Sequence, residues 1–386
     1  MTRISGEWIG TRATQAVFDA LEAGGYRAFF VGGCVRNALL GQPVTDIDIS
    51  TDAVPQEVMR LADRAGLKPV PTGIAHGTVT VVSGGEGYEV TTFRRDVETD
   101  GRRAVVAFST DKLDDARRRD FTINALYADR TGVVIDPLEQ GLQDLAAGRI
   151  RFIEDADARI REDYLRILRF FRFHAWYGHP EDGIDAEALG PIAENSAGIG
   201  SLSRERVGHE MLRLLAAPDP APSLAAMRAT GVLGRVLSGA EARFVAPLIH
   251  VERALGAAPD PIRRLAALGG EDAAGAFKLS KADARRLATL HGAVTGDAGP
   301  GELGYRLGAA AAADAIMLRA ATIGDLPDTS DLDSVRRGSE ARFPVRAADL
   351  MGRFSGPELG RRLAELEAAW IASGFSATRE NLLARS

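Results

Sequence analysis

The sequence is poor in cysteine, lysine and aromatic residues: its 386 residues include one cysteine, Cys34, four lysines and 6% aromatic residues. A single thiol excludes an internal disulfide and a zinc site built from cysteine pairs. No segment approaches the roughly 18–20 consecutive apolar residues of a membrane-spanning helix. Residues 1–8 also lack the apolar stretch of an export signal. These absences predict a cytoplasmic protein with no membrane partner.

The remaining composition is typical of a globular protein, with 45% hydrophobic and 26% charged residues. At about 150 residues per domain, the length predicts two or three domains. Because the net charge is −6, an acidic partner such as a nucleic acid requires a local basic surface. All but four of the 47 basic residues are arginine. This bias weakens any single arginine as a sign of function.

Strand and helix patterns alternate along the first 150 residues, and strand patterns then disappear. From Asp155 onward, helical patterns rich in alanine, leucine and arginine are interrupted by prolines. The sequence therefore predicts an α/β region followed by a long helical arm. The predicted segments of the first region are strands at 28–31 and 44–50, a hairpin of 77–83 with 87–93, helices at 11–23, 34–40, 54–65 and 123–127, and a flexible loop at 94–103.

The first motif joins two glycines to two aspartates. Gly32 and Gly33 lie between a predicted strand and helix, where backbone N–H groups approach an anion closely, and Arg36 follows within reach of a phosphate. Asp46 and Asp48 alternate on the next predicted strand, so their carboxylates share a face and repel unless a cation bridges them. Oxygen ligands at a phosphate site favour Mg²⁺. Taken alone, the glycine pair is equally well an ordinary tight turn, and the aspartate pair is equally well a solvated strand face. The two pairs together, in this order, predict a functional site.

A third carboxylate, Glu89, lies on a predicted strand between apolar residues. Two interpretations stay open. Glu89 is either a further ligand that fixes the metal or a glutamate that faces solvent.

The second motif is Arg118–Arg119–Asp120, followed by Asn124. An arginine beside an aspartate at the start of a helix is suited to bind a triphosphate and a ribose hydroxyl together. As an isolated string, however, this pattern is a surface ion pair about as often as a site.

The third motif lies within a predicted helix from Glu162 to Phe173. Asp163 and Arg166 are three residues apart, which makes them neighbours on one helix face. A carboxylate acceptor and a planar guanidinium held together are suited to read a base edge. Taken alone, this spacing favours an ordinary ion pair.

The three motifs, in this order and spacing, resemble the class II tRNA nucleotidyltransferases, the CCA-adding enzymes. These enzymes belong with bacterial poly(A) polymerases to the polymerase β-like nucleotidyltransferase superfamily. The resemblance rests on specific motifs over roughly residues 28–210. It implies an α+β fold, with a head of mixed sheet and helices followed by an all-helical arm. The implied domains are a catalytic head at 1–148, a neck with the nucleotide-templating helix at 149–212, a body at 213–295 and a tRNA-binding tail at 296–386.

The resemblance also implies roles for individual residues. Asp46 and Asp48 are the implied Mg²⁺ ligands and, with Glu89, the catalytic carboxylates. Asp163 and Arg166 resemble the amino-acid template that pairs with the incoming C or A. At residue 37 the family usually has aspartate, and Asn37 is expected to keep a local hydrogen bond with less charge. The implied nucleotide-binding residues are Gly32, Gly33, Arg36, Arg119, Asp120, Asn124, Asp163, Arg166, Arg169 and Arg172.

The implied activity is template-independent addition of CCA to the 3′ end of tRNA, with CTP and ATP as substrates and no obligate protein partner. Addition of A alone is the alternative, and a poly(A) polymerase or an inactive RNA-binding relative fits less well. Residues 94–108 supply a loop that CC-adding enzymes lack. The intact pair of Asp46 and Asp48 argues against an inactive relative, since binding alone needs no metal-ligating carboxylates.

Overall fold

The computed structural model describes residues 1–100, 103–179 and 183–384. They form two compact units, of which the first is Met1–Arg206 with Pro222–Val236 and the second is Val207–Ala221 with Leu237–Ser386. Within the described residues, every helix is too short or too polar to cross a membrane. The division into head, neck, body and tail stays a prediction.

The first unit is built around a seven-stranded mixed sheet. Its strand order is β3-β4-β5-β2-β1-β8-β9, and β6 and β7 form a separate two-stranded hairpin. Strands β2 and β5 run parallel, whereas the other neighbouring pairs are antiparallel. The strands are β1 Ala28–Val31, β2 Asp48–Thr51, β3 Lys68–Gly73, β4 Thr78–Ser83, β5 Glu86–Thr92, β6 Arg94–Asp100, β7 Arg103–Phe108, β8 Tyr127–Ala128 and β9 Val134–Ile135.

Helices pack beside the sheet and continue the first unit beyond it. The side chain of Thr11 accepts a hydrogen bond from the Thr14 N–H and so begins α2. Phe152 stacks on Phe170 of α8, and Phe121 packs against both rings at a tilt. These contacts join the end of the sheet region to the long helix that follows. The helices are α1 Glu7–Gly10, α2 Arg12–Glu22, α3 Gly33–Leu39, α4 Pro55–Arg64, α5 Lys112–Arg117, α6 Gly141–Ala146, α7 Ala156–Glu162, α8 Leu165–Tyr177, α9 Ala186–Asn195, α11 Ala221–Ala229 and α12 Val232–Val236. Helix α10, Arg204–Leu215, begins in the first unit and belongs to the second from Val207 onward.

The second unit is helical throughout its described residues. Helices α17 and α19 touch through their backbones, because a Cβ atom at Gly304 would lie 2.1 Å from the Val335 carbonyl oxygen. The helices are α13 Val245–Ala254, α14 Pro261–Leu268, α15 Ala273–Ala276, α16 Lys281–Thr295, α17 Pro300–Leu307, α18 Ala309–Ile323, α19 Thr329–Glu340, α20 Gly356–Ala372 and α21 Arg379–Leu383. The predicted α+β architecture, with strands confined to the first part of the chain, is confirmed.

Two local predictions are wrong. The predicted loop at 94–103 is largely an antiparallel hairpin, in which β6 and β7 pair from Arg94 opposite Phe108; residues 101 and 102 lie outside the described residues. The predicted helix at 123–127 is a short 3-10 turn that leads into β8. Tyr127 becomes a strand residue because it pairs with Val31 of β1. Both errors arise from pairing partners that a local pattern does not reveal.

A buried ion network connects three helices of the second unit. Glu252, which is 1% exposed, accepts hydrogen bonds from the Nε atoms of Arg263 at 2.9 Å and Arg264 at 3.0 Å. Arg263 also donates to Asp314 at 2.8 Å, and Arg264 donates to the Leu215 carbonyl at 2.7 Å. Removal of the shared carboxylate would leave the buried Arg264 guanidinium without a carboxylate partner among the described residues, while Arg263 would keep only Asp314.

We expect Glu252→Ala to lower the free energy of unfolding by about 3 kcal/mol, as measured by denaturant titration. The matched control is Glu365→Ala, since Glu365 also pairs with two arginines but is 45% exposed. That control should change the free energy of unfolding by less than about 1 kcal/mol. Equal effects of the two substitutions would contradict the role given to burial.

Candidate active site

The two glycines of the first motif form the turn between β1 and α3. Gly32 has φ 71° and ψ −119°, a conformation that favours glycine, and Gly33 is the first residue of the helix. A Cβ atom at Gly32 would lie 3.3 Å from Nη1 of Arg119. Glycine therefore allows the arginine of the second motif to lie directly against the turn of the first.

The carboxylates of the candidate site lie where β2 begins. Asp48 is the first residue of β2 and pairs in register with Glu89 of β5. Burial, followed by the negative charges of Glu89 and Asp46, raises the pKa of Asp48 to about 6, against the opposing effect of Arg119. Both acidic residues therefore lie close enough to act on the Asp48 carboxyl.

Asp46 differs from its predicted position. The predicted strand at 44–50 is observed only from Asp48 onward, and Asp46 is an exposed residue of the preceding segment. The reason is that β1 pairs with β2 only as far as Phe30 opposite Ile49, before the chain turns at Gly32. Alternation along one strand therefore does not place Asp46 beside Asp48.

A fully buried carboxylate that the sequence interpretation missed holds the second motif. Oδ2 of Asp115 accepts hydrogen bonds from Nη2 of Arg119 at 3.0 Å and from the Tyr127 hydroxyl at 2.7 Å, and Oδ1 accepts from Nε of Arg118 at 3.0 Å. Arg119 also donates to the Ser50 hydroxyl at 3.3 Å. The spacing of four residues between Asp115 and Arg119 is a helical ion-pair signal that could have found this contact.

Asp120, Asn124 and Arg36 form a chain of hydrogen bonds that reaches α8. Nδ2 of Asn124 donates to Asp120 at 2.9 Å, and Nη1 of Arg36 donates to the side-chain oxygen Oδ1 of Asn124 at 2.5 Å. At the other end, Nε of Arg169 donates to Asp120 at 2.7 Å. Burial alone would raise the pKa of Asp120, but the charge of Arg169 and the Asn124 hydrogen bond lower it to about 2. The structure thus brings together four of the predicted nucleotide-binding residues.

The predicted contact between Asp163 and Arg166 is replaced by other partners. Asp163 has an extended backbone that ends α7, so no continuous helix connects the two residues. Its carboxylate accepts from Arg206 at 2.6 Å, whereas Arg166 donates to Glu162 at 2.5 Å. Helical spacing predicts a side-chain contact only where the helix is uninterrupted.

Three of the predicted arginines lie around the ring of Phe173. The guanidinium carbons of Arg172, Arg36 and Arg169 lie 4.3, 5.1 and 5.3 Å from the centre of its ring. Arg172 is 7% exposed. The first unit therefore has a concentration of positive charge around one aromatic ring and a concentration of carboxylates at the start of β2.

Comparison with known proteins shows which family this chain belongs to. Two family models match, "Poly A polymerase head domain" over residues 28–151 and "Probable RNA and SrmB- binding site of polymerase A" over residues 183–243. The mitochondrial CCA tRNA nucleotidyltransferase 1 of Danio rerio is 33% identical over 376 residues, which cover 91% of this chain and 85% of that protein. The chain belongs to the CCA tRNA nucleotidyltransferase family. It is a nucleotidyltransferase, as the sequence predicted.

Two further similarities concern bacterial members of the family. The CCA-adding enzyme of Lactiplantibacillus plantarum is 41% identical over 221 residues, a match that spans 57% of this chain and about half, 52%, of that enzyme. The CTP complex of the Bacillus stearothermophilus CCA-adding enzyme matches with a TM-score of 0.71 and 28% identity, covering 94% of this chain and 93% of that one. The family resemblance and the fold class are confirmed. Nucleotidyltransferases of this family use a divalent metal ion.

We expect Asp115→Asn to lower the free energy of unfolding at pH 7 by about 2 kcal/mol. Burial alone would raise the pKa of Asp115, but the charges of Arg119 and Arg118 lower it to about 2. In the unfolded chain this carboxyl takes up a proton near pH 4. Its stabilising contribution is therefore complete above about pH 4 and is lost as the pH falls towards about 2.

Denaturant titrations at several pH values test this expectation. The Asp115→Asn variant should lose less stability than the wild type between about pH 4 and pH 2. Asp114→Asn, at the neighbouring position on α5, is the control and should keep the wild-type pH dependence. An unchanged acid sensitivity of Asp115→Asn would show that this carboxylate does not stabilise the fold as described.

Proposed function

We propose that this chain adds the sequence CCA to the 3′ end of tRNA without a nucleic-acid template. The 3′-hydroxyl attacks the α-phosphate of CTP or ATP, so CMP or AMP is transferred and pyrophosphate leaves. The names of the Danio rerio and Lactiplantibacillus plantarum relatives support this activity, since both describe CCA addition or CCA tRNA nucleotidyl transfer.

One observation carries the proposal: Arg119 links the first two motifs at the start of β2. Arg119 lies against the Gly32 turn, donates to Ser50 of β2 and acts electrostatically on the Asp48 carboxyl. A nucleotide triphosphate needs a cation for its phosphates beside carboxylates that hold a metal ion. Arg119 and Asp48 supply both groups in one place.

The carboxylates fit a magnesium ion. The described residues contain no group of three or more His, Cys, Asp or Glu side chains that could hold a metal ion by themselves. Mg²⁺ is commonly held by one or two carboxylates together with substrate phosphates and water, so Asp46 and Asp48 are a sufficient protein donor set. Burial raises the pKa of Asp48, and the negative charges of Glu89 and Asp46 raise it further; a bound cation would stabilise the ionised carboxylate against these effects. When bound, the ion supplies neutralisation of charge that develops on the reacting oxygens.

Glu89 lies opposite Asp48 but is exposed on its strand. We assign it a secondary catalytic role, because its charge acts on Asp48. In the same proposal, Gly32, Gly33, Arg36 and Arg119 bind the triphosphate. Asp120 and Asn124 also bind the nucleotide, and within the protein Asn124 accepts from Arg36 and Asp120 accepts from Arg169.

Asp163 and Arg166 are the proposed readers of the incoming base, with Arg169 and Arg172 as further nucleotide contacts. Nη1 of Arg166 is held by Glu162 and by the Arg159 carbonyl, and Nη2 donates to the Arg118 carbonyl at 3.4 Å. Nε has no protein acceptor among the described contacts, so its N–H is the donor that remains for a base. The Asp163 carboxylate keeps acceptor capacity beyond its bond from Arg206.

The proposed partner is tRNA, held mainly through its backbone and shape, as is usual for structured RNA. A cytoplasmic location completes the proposal.

The decisive assay uses a tRNA transcript that ends before CCA, incubated with Mg²⁺ and with CTP and ATP separately and together. We expect two C additions with CTP and one further A when ATP is present. Asp46→Ala with Asp48→Ala should abolish both additions while tRNA binding persists, because the carboxylates serve chemistry rather than RNA affinity. Gel-resolved product lengths and a tRNA-binding titration provide the readouts.

Other outcomes identify the alternatives. Extension only of a tRNA that already ends in CC indicates an A-adding enzyme, and a long run of A indicates a poly(A) polymerase. A wild-type protein that binds tRNA but transfers nothing would refute the enzymatic proposal.

We expect Asp163→Ala to reduce the preference for CTP and ATP over UTP and GTP by about tenfold or more, since a lost hydrogen-bond partner weakens discrimination between bases. Competition assays with pairs of nucleotides measure this preference. The control is Asp157→Ala on α7, whose carboxylate binds Asn195 and Arg161. Equal discrimination in both variants would remove Asp163 from base selection.

A further inference from the structure

The guanidinium of Arg36 is held by an aromatic residue that none of the three motifs contains. Nη2 of Arg36 donates a hydrogen bond of 2.8 Å to the Tyr177 hydroxyl. The guanidinium carbon also lies 4.1 Å from the centre of the Tyr177 ring. Tyr177 is the last residue of α8, 141 positions along the chain from Arg36. This contact therefore joins α3, the helix that begins at the glycine turn, to the end of α8.

The other partners of Arg36 are also uncharged. Asn37 accepts from Nη2 at 2.9 Å, which is the local hydrogen bond expected at this position, and Asn124 accepts from Nη1. Within the described residues, Arg36 forms no ion pair with a carboxylate, and it is only 6% exposed. Burial lowers its pKa and the nearby charge of Arg172 lowers it further, against the opposing effects of Tyr177 and of the Asp120 carboxylate. The partners that contact the guanidinium thus orient its positive charge, but none of them carries a negative charge of its own.

A buried cation with neutral partners is unfavourable until an anion arrives. The arginine side chain has several rotatable bonds. Fixing its guanidinium before binding therefore reduces the conformational entropy lost when an anion binds. An aromatic face combined with a hydroxyl acceptor restricts the guanidinium without removing its charge. A carboxylate in place of Tyr177 would compete with the incoming anion.

We propose that Tyr177 is a positioning residue for nucleotide binding, because its ring and hydroxyl hold Arg36 ready for the triphosphate. This inference rests on the proposed function. We therefore expect Tyr177 to affect the affinity for the phosphates. Other residues recognise the base and act in the transfer step.

The test compares Tyr177→Leu, which loses the ring and the hydroxyl, with Tyr177→Phe, which keeps the ring. Calorimetry measures the binding of CTP and of inorganic tripolyphosphate, both with Mg²⁺, and steady-state assays give KM and kcat for CTP. We expect Tyr177→Leu to weaken the binding of both ligands and to raise the KM for CTP by about tenfold. Tyr177→Phe should recover a substantial part of the affinity, and kcat should change by less than about threefold in both variants.

Trp176→Leu is the matched control, since it removes the neighbouring aromatic side chain from the same helix. It should leave the affinity for both ligands and kcat unchanged. Thermal unfolding of all three variants reports general damage to α8.

Three results would overturn the inference. The first is wild-type affinity in Tyr177→Leu, and the second is an equal loss in Trp176→Leu. The third is a loss for CTP without a loss for tripolyphosphate, since it would place the effect at the base or ribose. Failure of the proposed function is distinguishable, because the wild type would then neither bind CTP nor extend tRNA.

Discussion

The buried carboxylate of Asp115 is the constraint on which the candidate site depends. It neutralises Arg118 and Arg119 and accepts from Tyr127 of β8, so one side chain connects α5, the second motif and the sheet. With Arg119 fixed in this way, its remaining N–H groups reach Ser50 and the Gly32 turn. Because a buried ion pair tolerates little displacement, the first two motifs are held in one relative position.

Positive and negative charges in the first unit are separated as the proposed metal-bound triphosphate requires. Carboxylates gather at the start of β2, where the pKa of Asp48 is raised by burial and by Glu89. Guanidinium groups gather around Phe173, where aromatic contacts orient them. Asp120 forms an ion pair with Arg169. An anion that carries its own divalent cation satisfies both groups at once.

The sequence predicted the local parts of this arrangement well. The glycine turn, the hairpin of β4 and β5 and the helical character after Asp155 follow from residue types at short range, where backbone conformation is decided. The hairpin of β6 and β7 and strand β8 were missed, because strands form through partners that are distant in sequence. The predicted contact between Asp163 and Arg166 was wrong for a related reason. The spacing of the two residues predicts a contact only within one helix, and the extended backbone of Asp163 ends that helix.

By itself, the sequence determined which chemical groups the site contains and the order in which they occur, because motifs of glycine, aspartate and arginine are properties of short segments. The tertiary structure alone decided which of these groups meet. Arg206 holds Asp163 from 43 positions away, and Tyr177 holds Arg36 from 141 positions away. Ion pairs and ring contacts depend on distance through space, and that distance is set only when the sheet and helices have packed.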